Sequence, residues 1–356
     1  MEKELRLMKG NEAVAEAAIR AGADGYFGYP ITPQSEILEY LMAATPWKTT
    51  GMVVLQAESE IAAINMVYGG AACGKKVLTT SSSPGISLKQ EGITYIAGSE
   101  LPCLIVNVVR GGPGLGTIQP SQSDYFQAVK GGGHGDYHLI VLAPASVQEM
   151  ADFVGLGFDL AFKYRNPVMI LSDGAIGQMM EKVWLGPQKE RSKTVPEWAT
   201  TGKPPTRERN IITSLDLDPA RQEVFVRKLV AKYDEIREKE VRCEEFQCDD
   251  AEYLLVAYGT SARVCQKSVQ LGRAGGLKVG LLRPITLFPF PSKQINKLAD
   301  RAKIILSVEM SAGQMVEDVQ LSVNGKVPVY HFGRMGGMIP SPDEVLEHLK
   351  SKIIGG

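Results

Sequence analysis

Gly28-Tyr29-Pro30-Ile31-Thr32-Pro33-Gln34-Ser35-Glu36, Gln56-Ala57-Glu58-Ser59-Glu60 and Thr79-Thr80-Ser81-Ser82-Ser83-Pro84-Gly85 lie within one stretch, Tyr26 to Gly85, and decide the reading of the chain. Each follows a predicted strand: Gly25–Tyr29, Met52–Gln56 and Lys76–Thr80. Predicted helices separate these strands, so they belong side by side in a parallel sheet. In an open α/β sheet the carboxyl ends of neighbouring strands share one edge, where ligands bind in a crevice. The three polar loops are therefore expected to face a common site. That geometry names no ligand.

The alternation extends on both sides of this stretch. Residues 10–22 form an amphipathic helix closed by Gly22, and Thr32 is expected to cap a helix with Pro33 at its first position. Leu104-Ile105-Val106-Asn107-Val108-Val109 and the run from Pro167 to Leu171 suit strands covered on both faces. The pattern breaks near Trp184, and residues 186–210 carry four prolines among charges, an irregular excursion. A charged helix over Gln222–Val241 follows. A second alternating unit starts at Tyr253, interrupted by the turn-rich insert Arg283-Pro284-Ile285-Thr286-Leu287-Phe288-Pro289-Phe290-Pro291. The expected division is a first α/β domain over 1–185, a linker with its connecting helix over 186–250, and a smaller α/β domain over 251–356.

Composition narrows the function classes. A formal net charge of −1 over 356 residues offers no electrostatic case for nucleic acid or an anionic membrane surface. No apolar run approaches the roughly 20 residues that span a bilayer. Met1-Glu2-Lys3-Glu4-Leu5-Arg6 has no hydrophobic signal core, so a cytoplasmic protein is expected. The five cysteines are odd in number and scattered, unlike a disulfide framework, and Cys243 and Cys248 have no third or fourth partner for an iron–sulfur cluster. Four histidines without ligand spacing give no zinc site, and no metal ligand is assigned to this chain.

Three features carry candidate chemistry, each beside an ordinary reading. Glu58 and Glu60 open a helix of small and apolar residues. Carboxylates near a helix N-terminus are commonplace, but one at the rim of a core can be desolvated by a ligand, hold a proton more readily and exchange it. Thr32 and the Ser81-Ser82-Ser83 loop sit at strand-to-helix turns, where free N–H groups and hydroxyls receive anions. Arg110 ends the most apolar strand and precedes Gly111-Gly112-Pro113-Gly114-Leu115-Gly116. It needs either a carboxylate of its own chain or an anionic ligand, which a bidentate guanidinium holds well.

Taken in order, Tyr29-Pro30-Ile31-Thr32-Pro33, Gln56-Ala57-Glu58-Ser59-Glu60-Ile61-Ala62-Ala63, Arg110-Gly111-Gly112-Pro113 and Arg283-Pro284-Ile285-Thr286-Leu287-Phe288-Pro289 resemble the α-type subunit of the 2-oxoacid:ferredoxin oxidoreductases, in the 2-oxoisovalerate branch. The resemblance spans almost the whole chain. It implies a thiamine diphosphate pyrimidine-binding domain followed by a transketolase C-terminal-like domain. The family's glutamate hydrogen-bonds N1′ of the aminopyrimidine and promotes the imino tautomer that deprotonates the thiazolium carbon. An aromatic-glycine pair follows it, a pattern that Glu60 meets with Tyr68-Gly69, and Glu58 is held in reserve. Thr32 and Arg110 match the positions that hold the 2-oxoacid carboxylate; Tyr29, Pro30, Ile31 and Ser83 fall among the cofactor-binding positions.

The resemblance also implies what other chains bring. Thiamine enzymes bind Mg²⁺–diphosphate through Gly-Asp-Gly and an Asn roughly 25–30 residues on. Ser172-Asp173-Gly174 has no such Asn, and Gly135-Asp136-Tyr137 with Asn166 puts a bulky tyrosine where glycine belongs. A β-type subunit is therefore expected to carry diphosphate, Mg²⁺ and [4Fe–4S], with γ- and δ-type subunits as further partners, ferredoxin as electron acceptor and coenzyme A as a substrate. The loop Leu115–Asp124 has no cation for a distal carboxylate and offers Ile118, which favours 3-methyl-2-oxobutanoate over 2-oxoglutarate. Two rivals remain open at this point: a cluster-free thiamine dehydrogenase or transketolase-like subunit, and a non-catalytic α/β binding protein.

Overall fold

A computed structural model describes residues 4–355. Its strands are β1 (Glu4–Lys9), β2 (Gly25–Gly28), β3 (Val53–Gln56), β4 (Val77–Ser81), β5 (Cys103–Val109), β6 (Ile140–Leu142), β7 (Pro167–Asp173), β8 (Met180–Leu185), β9 (Cys243–Phe246), β10 (Tyr253–Val256), β11 (Val279–Pro284), β12 (Thr286–Phe288), β13 (Ile304–Glu309) and β14 (Val329–Gly333). The larger sheet has seven strands in the order β12-β6-β7-β5-β4-β2-β3. All its pairings are parallel except β12 against β6. Strands β5 and β7 are buried at every residue, as their unbroken apolar character requires of strands with helices on both faces.

The second sheet runs β14-β13-β10-β11-β9, parallel but for the edge strand β9. Strands β1 and β8 form a separate antiparallel ribbon. Several of these elements depart from the sequence reading. The ribbon and β9 were not expected. The turn-rich insert contains β12, whose Thr286 and Phe288 pair with Leu142 and Val141 at the edge of the larger sheet. The second unit thus lends a strand to the first.

Side-chain bonds tie the two sheets together. The buried Asp173 carboxylate at the end of β7 accepts from the backbone of Ala175 and Ile176 and from both the N–H and the hydroxyl of Thr260. Gln122 binds Tyr258 O, Ser261 Oγ and the Met310 N–H in the same seam. Within the first unit, the Glu60–Ala72 and Pro84–Gly98 helices pack closely because Gly92 has no side chain. A Cβ there would lie 2.5 Å from Ile64 Cγ2. The segment after β8 runs back over this unit, where Arg191 bonds Asp24 and the Thr200 N–H reaches Ala72 O.

Candidate active site

Since β3, β2, β4 and β5 run parallel as neighbours, their carboxyl ends open on one edge. Ser59 caps the helix after β3, its hydroxyl accepting from Ala62 N at 3.1 Å. The helix therefore starts at Glu60, two residues later than the sequence reading. Glu58 projects into solvent while Glu60 is only 7% exposed. No donor among the described residues binds the Glu60 carboxylate. Gly85 makes room for it: a Cβ at that position would lie 2.8 Å from Glu60 Oε1 and 2.1 Å from Ser81 Oγ.

The loop after β4 contributes polar atoms that the chain does not use. The hydroxyls of Ser81 and Ser82 are buried without a partner, and groups of that kind ordinarily find one. Ser83 adopts φ +24°, ψ −83°. It is held there by its N–H on Asn107 Oδ1 (3.2 Å) and by its hydroxyl, which accepts from Arg110 N (3.1 Å) and lies 3.2 Å from Arg110 O. Asn107 in turn donates to Asp124 at 2.9 Å, and burial pushes that carboxyl above its ordinary range.

Arg110 is 8% exposed and has no carboxylate partner among the described residues. Nη1 donates to Thr32 O at 3.0 Å and Nη2 to Leu115 O at 3.2 Å, while Nε is buried and unbonded. An ion pair, the ordinary alternative for this residue, is absent among the described residues. A buried guanidinium held by two carbonyls keeps its charge available for an anion.

Thr32 stands beside Arg110 through its carbonyl, not as a helix cap. The helix begins at Ser35 with Gln34 in the cap position, because the Pro33 carbonyl is claimed by the amides of Asn11 (2.7 Å) and Gln178 (3.0 Å). Tyr29, Pro30 and Ile31 line the way out of β2. Gln34 Nε2 holds the Tyr29 carbonyl at 3.1 Å, and Gln34 Oε1 accepts from the Thr80 hydroxyl. The first and third loops are thereby tied at a buried amide. The structure brings Glu60, Ser81–Ser83, Arg110 and Thr32 to one edge.

Sequence reasoning missed Lys89, which is fully buried and bonded to Thr79 Oγ1 and Thr80 O. The signal was present: Ile86, Lys89, Ile93 and Ile96 recur at helical spacing on the buried face. Gln34 and Gly85 lay inside quoted loops but had no assigned role of their own.

Among the described residues no group of three or more His, Cys, Asp or Glu is placed to hold a metal ion. Asp173 is spent on the inter-sheet seam, and burial raises its carboxyl above the ordinary range. The Asn166 amide nitrogen donates to the carbonyls of His138 and Pro167, while its buried Oδ1 has no partner and no carboxylate cluster beside it. The site as built offers a carboxyl, orphaned hydroxyls and a guanidinium. That donor set suits a heterocycle with a ring nitrogen and a small carboxylate, and its single carboxyl beside a guanidinium is a poor cage for a hard cation.

Comparison with known proteins agrees with this arrangement. Residues 16–247 match the family described as "Pyruvate flavodoxin/ferredoxin oxidoreductase, thiamine diP-bdg", and residues 251–345 match "Pyruvate:ferredoxin oxidoreductase core domain II". The ketoisovalerate oxidoreductase subunit VorB of Methanothermobacter thermautotrophicus is 52% identical, the alignment covering 97% of both chains. The 2-oxoglutarate synthase subunit KorA of Archaeoglobus fulgidus is 39% identical over 89% of this chain and 91% of its own. Among solved structures, the 2-oxoglutarate:ferredoxin oxidoreductase of Magnetococcus marinus, with 2-oxoglutarate, coenzyme A and succinyl-CoA bound, superposes with a TM-score of 0.85 at 28% identity. That match covers 99% of this chain and 66% of the other. A split-gene transketolase, matched at TM-score 0.60 and 12% identity over 98% of both chains, shares the fold alone. With its buried glutamate, its unpaired arginine and these matches along nearly its whole length, the chain is a member of the pyruvate flavodoxin/ferredoxin oxidoreductase family, an oxidoreductase subunit with a thiamine diphosphate-binding domain.

Proposed function

We propose that this chain is the α-type subunit of an enzyme that oxidatively decarboxylates 3-methyl-2-oxobutanoate. The bond between C1 and C2 breaks and CO₂ leaves. The coenzyme A sulfur bonds the remaining acyl carbon as isobutyryl-CoA, and two electrons pass to ferredoxin. Thiamine diphosphate supplies the nucleophilic carbon and the sink for the electron pair released from the carboxylate.

Glu60 holds and exchanges a proton at N1′ of the aminopyrimidine. Arg110, with Thr32 beside it, receives the substrate carboxylate through its free Nε–H. Tyr29, Pro30, Ile31 and Ser83 form the wall against the cofactor. The chain would thus hold the pyrimidine end only. A β-type subunit would bind the diphosphate with Mg²⁺ and carry the [4Fe–4S] cluster, and γ- and δ-type subunits would complete the assembly. Ile61, Met66 and Leu88, exposed on the two helices beside Glu60, give that partner an apolar surface to cover. The first domain is assigned to 1–185, the linker to 186–250 and the last domain to 251–356, with β9 and β12 as the exceptions noted above. Among the described residues no helix is long and apolar enough to cross a membrane, and the free cysteines suit the reducing cytoplasm.

The observation that carries the reading is the buried Arg110 guanidinium with no carboxylate partner among the described residues, set at the same edge as Glu60. For the substrate, support comes from the 52% identity to the VorB chain against 39% to KorA. The site loop points the same way: Leu115 is 81% exposed, Ile118 is also exposed, and Arg334 on the adjacent loop is already paired with Glu344. The test is a panel of 2-oxoacids with coenzyme A and a viologen acceptor, run on the coexpressed complex. A kcat/KM at least tenfold higher for 3-methyl-2-oxobutanoate than for 2-oxoglutarate is expected. The reverse preference overturns the substrate assignment.

A further inference from the structure

Lys89 lies on the Pro84–Gly98 helix, one turn beyond Gly85 and on the same buried face. It has no exposure to solvent, and its two hydrogen-bond acceptors, Thr79 Oγ1 at 2.7 Å and Thr80 O at 3.0 Å, are both neutral. A hydroxyl and a carbonyl can be tied down by a neutral donor such as an amide, so the charge of an ammonium is superfluous to that role. Buried lysines are rare unless paired, and this one has no ion pair among the described residues. The charge whose field reaches it is Glu60, on the helix packed across Gly85.

The remaining neighbours supply no competing charge. Strand β4 presents Thr79 and Thr80. From β2, Tyr26 bonds Thr80 Oγ1 at 2.8 Å, and its phenol, pushed up to about 12 by burial, is neutral. Toward β5 the acidic group of the site is Asp124, engaged by Asn107. The Lys89 helix puts no other charged side chain on its buried face.

We propose that Lys89 is a positioning residue that acts through Glu60: its ammonium is the buried counter-charge that the Glu60 side chain meets across Gly85, and it sets the charge state in which the site receives the pyrimidine. Burial pulls Lys89 down to about 7 while the Glu60 charge opposes that fall, so the ammonium and the amine are both populated near neutrality. The proposal rests on the reading of Glu60 as the pyrimidine partner.

The test uses the full chain in complex with its partner subunit, labelled with ¹³Cε-lysine. The Lys89 resonance is assigned by its loss in Lys89→Met, with Lys89→Gln as a second neutral variant. In the cofactor-free complex the Lys89 titration midpoint is expected to fall by about one pH unit or more in Glu60→Gln relative to wild type. Calorimetric titration with thiamine diphosphate and Mg²⁺ should show the pH midpoint of affinity displaced upward in Lys89→Met. A Lys89 midpoint indifferent to Glu60→Gln overturns the proposal, as does a pH profile of cofactor affinity unchanged in both neutral variants. If Lys89 responds to Glu60→Gln in a complex that binds no thiamine diphosphate, the linkage of the two groups is supported and the cofactor reading alone falls.

Discussion

Replacing Lys89 with methionine should change how stability depends on pH more than it changes stability itself. The side chain titrates at about 7 in the folded chain against 10.5 for a free lysine. Between those values the unfolded chain binds more protons than the folded one, so stability rises with pH. At pH 7 the buried ammonium costs about 4 kcal/mol relative to a group that never charges, and at pH 9.5 about 1 kcal/mol. Wild type therefore gains roughly 3 kcal/mol from this residue across that interval, and Lys89→Met gains nothing from it. Methionine keeps an unbranched stem of similar volume. It leaves the Thr79 hydroxyl and the Thr80 carbonyl without their donor, at about 1–3 kcal/mol for each group left unsatisfied. That loss offsets much of the gain at pH 7 but does not vary with pH. The assay is urea unfolding of the full chain from pH 6.5 to 10, comparing midpoints at constant m. The wild-type curve should rise relative to the variant's by roughly 3 kcal/mol between pH 7 and 9.5, whichever is the more stable at pH 7. Parallel curves would refute the reasoning, since they would mean that Lys89 is not held as a depressed, buried ammonium.

Other outcomes follow from the same geometry. Arg110→Met should raise KM for the 2-oxoacid by about 10–100-fold, the loss of a charge-assisted pair; a KM within threefold of wild type in the viologen assay contradicts the assignment. Its melting temperature should move little, because the freed carbonyls belong to Thr32 and Leu115, which are exposed residues able to bind water. Gly85→Ala places a carbon 2.1 Å from Ser81 Oγ and 2.8 Å from Glu60 Oε1. The displaced carboxyl should weaken thiamine diphosphate binding by at least tenfold in a calorimetric titration of the folded complex, and unaltered affinity counts against Glu60 as the contact.

Much of the fold was written in local pattern. The apolar runs that became β5 and β7 could be buried only in a covered parallel sheet, and Arg110 at the end of one of them marked the sheet's carboxyl edge. Glu60 stood out because the helix behind it is nearly all small or apolar. What escaped was set by distant partners. Thr32 read as a cap because Thr-Pro before an apolar period is a strong local signal, yet the Pro33 carbonyl is taken by side chains 22 and 145 residues away. Strand β12 is three residues long between prolines, too short to show a period, and exists because β6 offers an open edge. Lys89 fell on the buried face by spacing, but a lysine is ordinarily read as a solvated head on an apolar stem. Only the packing of two helices across Gly85 and Gly92 removes that option.

The central claim is that this polypeptide supplies the pyrimidine half of a cofactor site and another polypeptide supplies the rest. It is tested most directly by titrating thiamine diphosphate with Mg²⁺ into the purified chain alone and into the coexpressed complex, and counting bound cofactor by calorimetry. The account predicts one cofactor for each copy of this chain in the complex and no saturable binding to the chain by itself. Stoichiometric, micromolar binding to the isolated chain would contradict it.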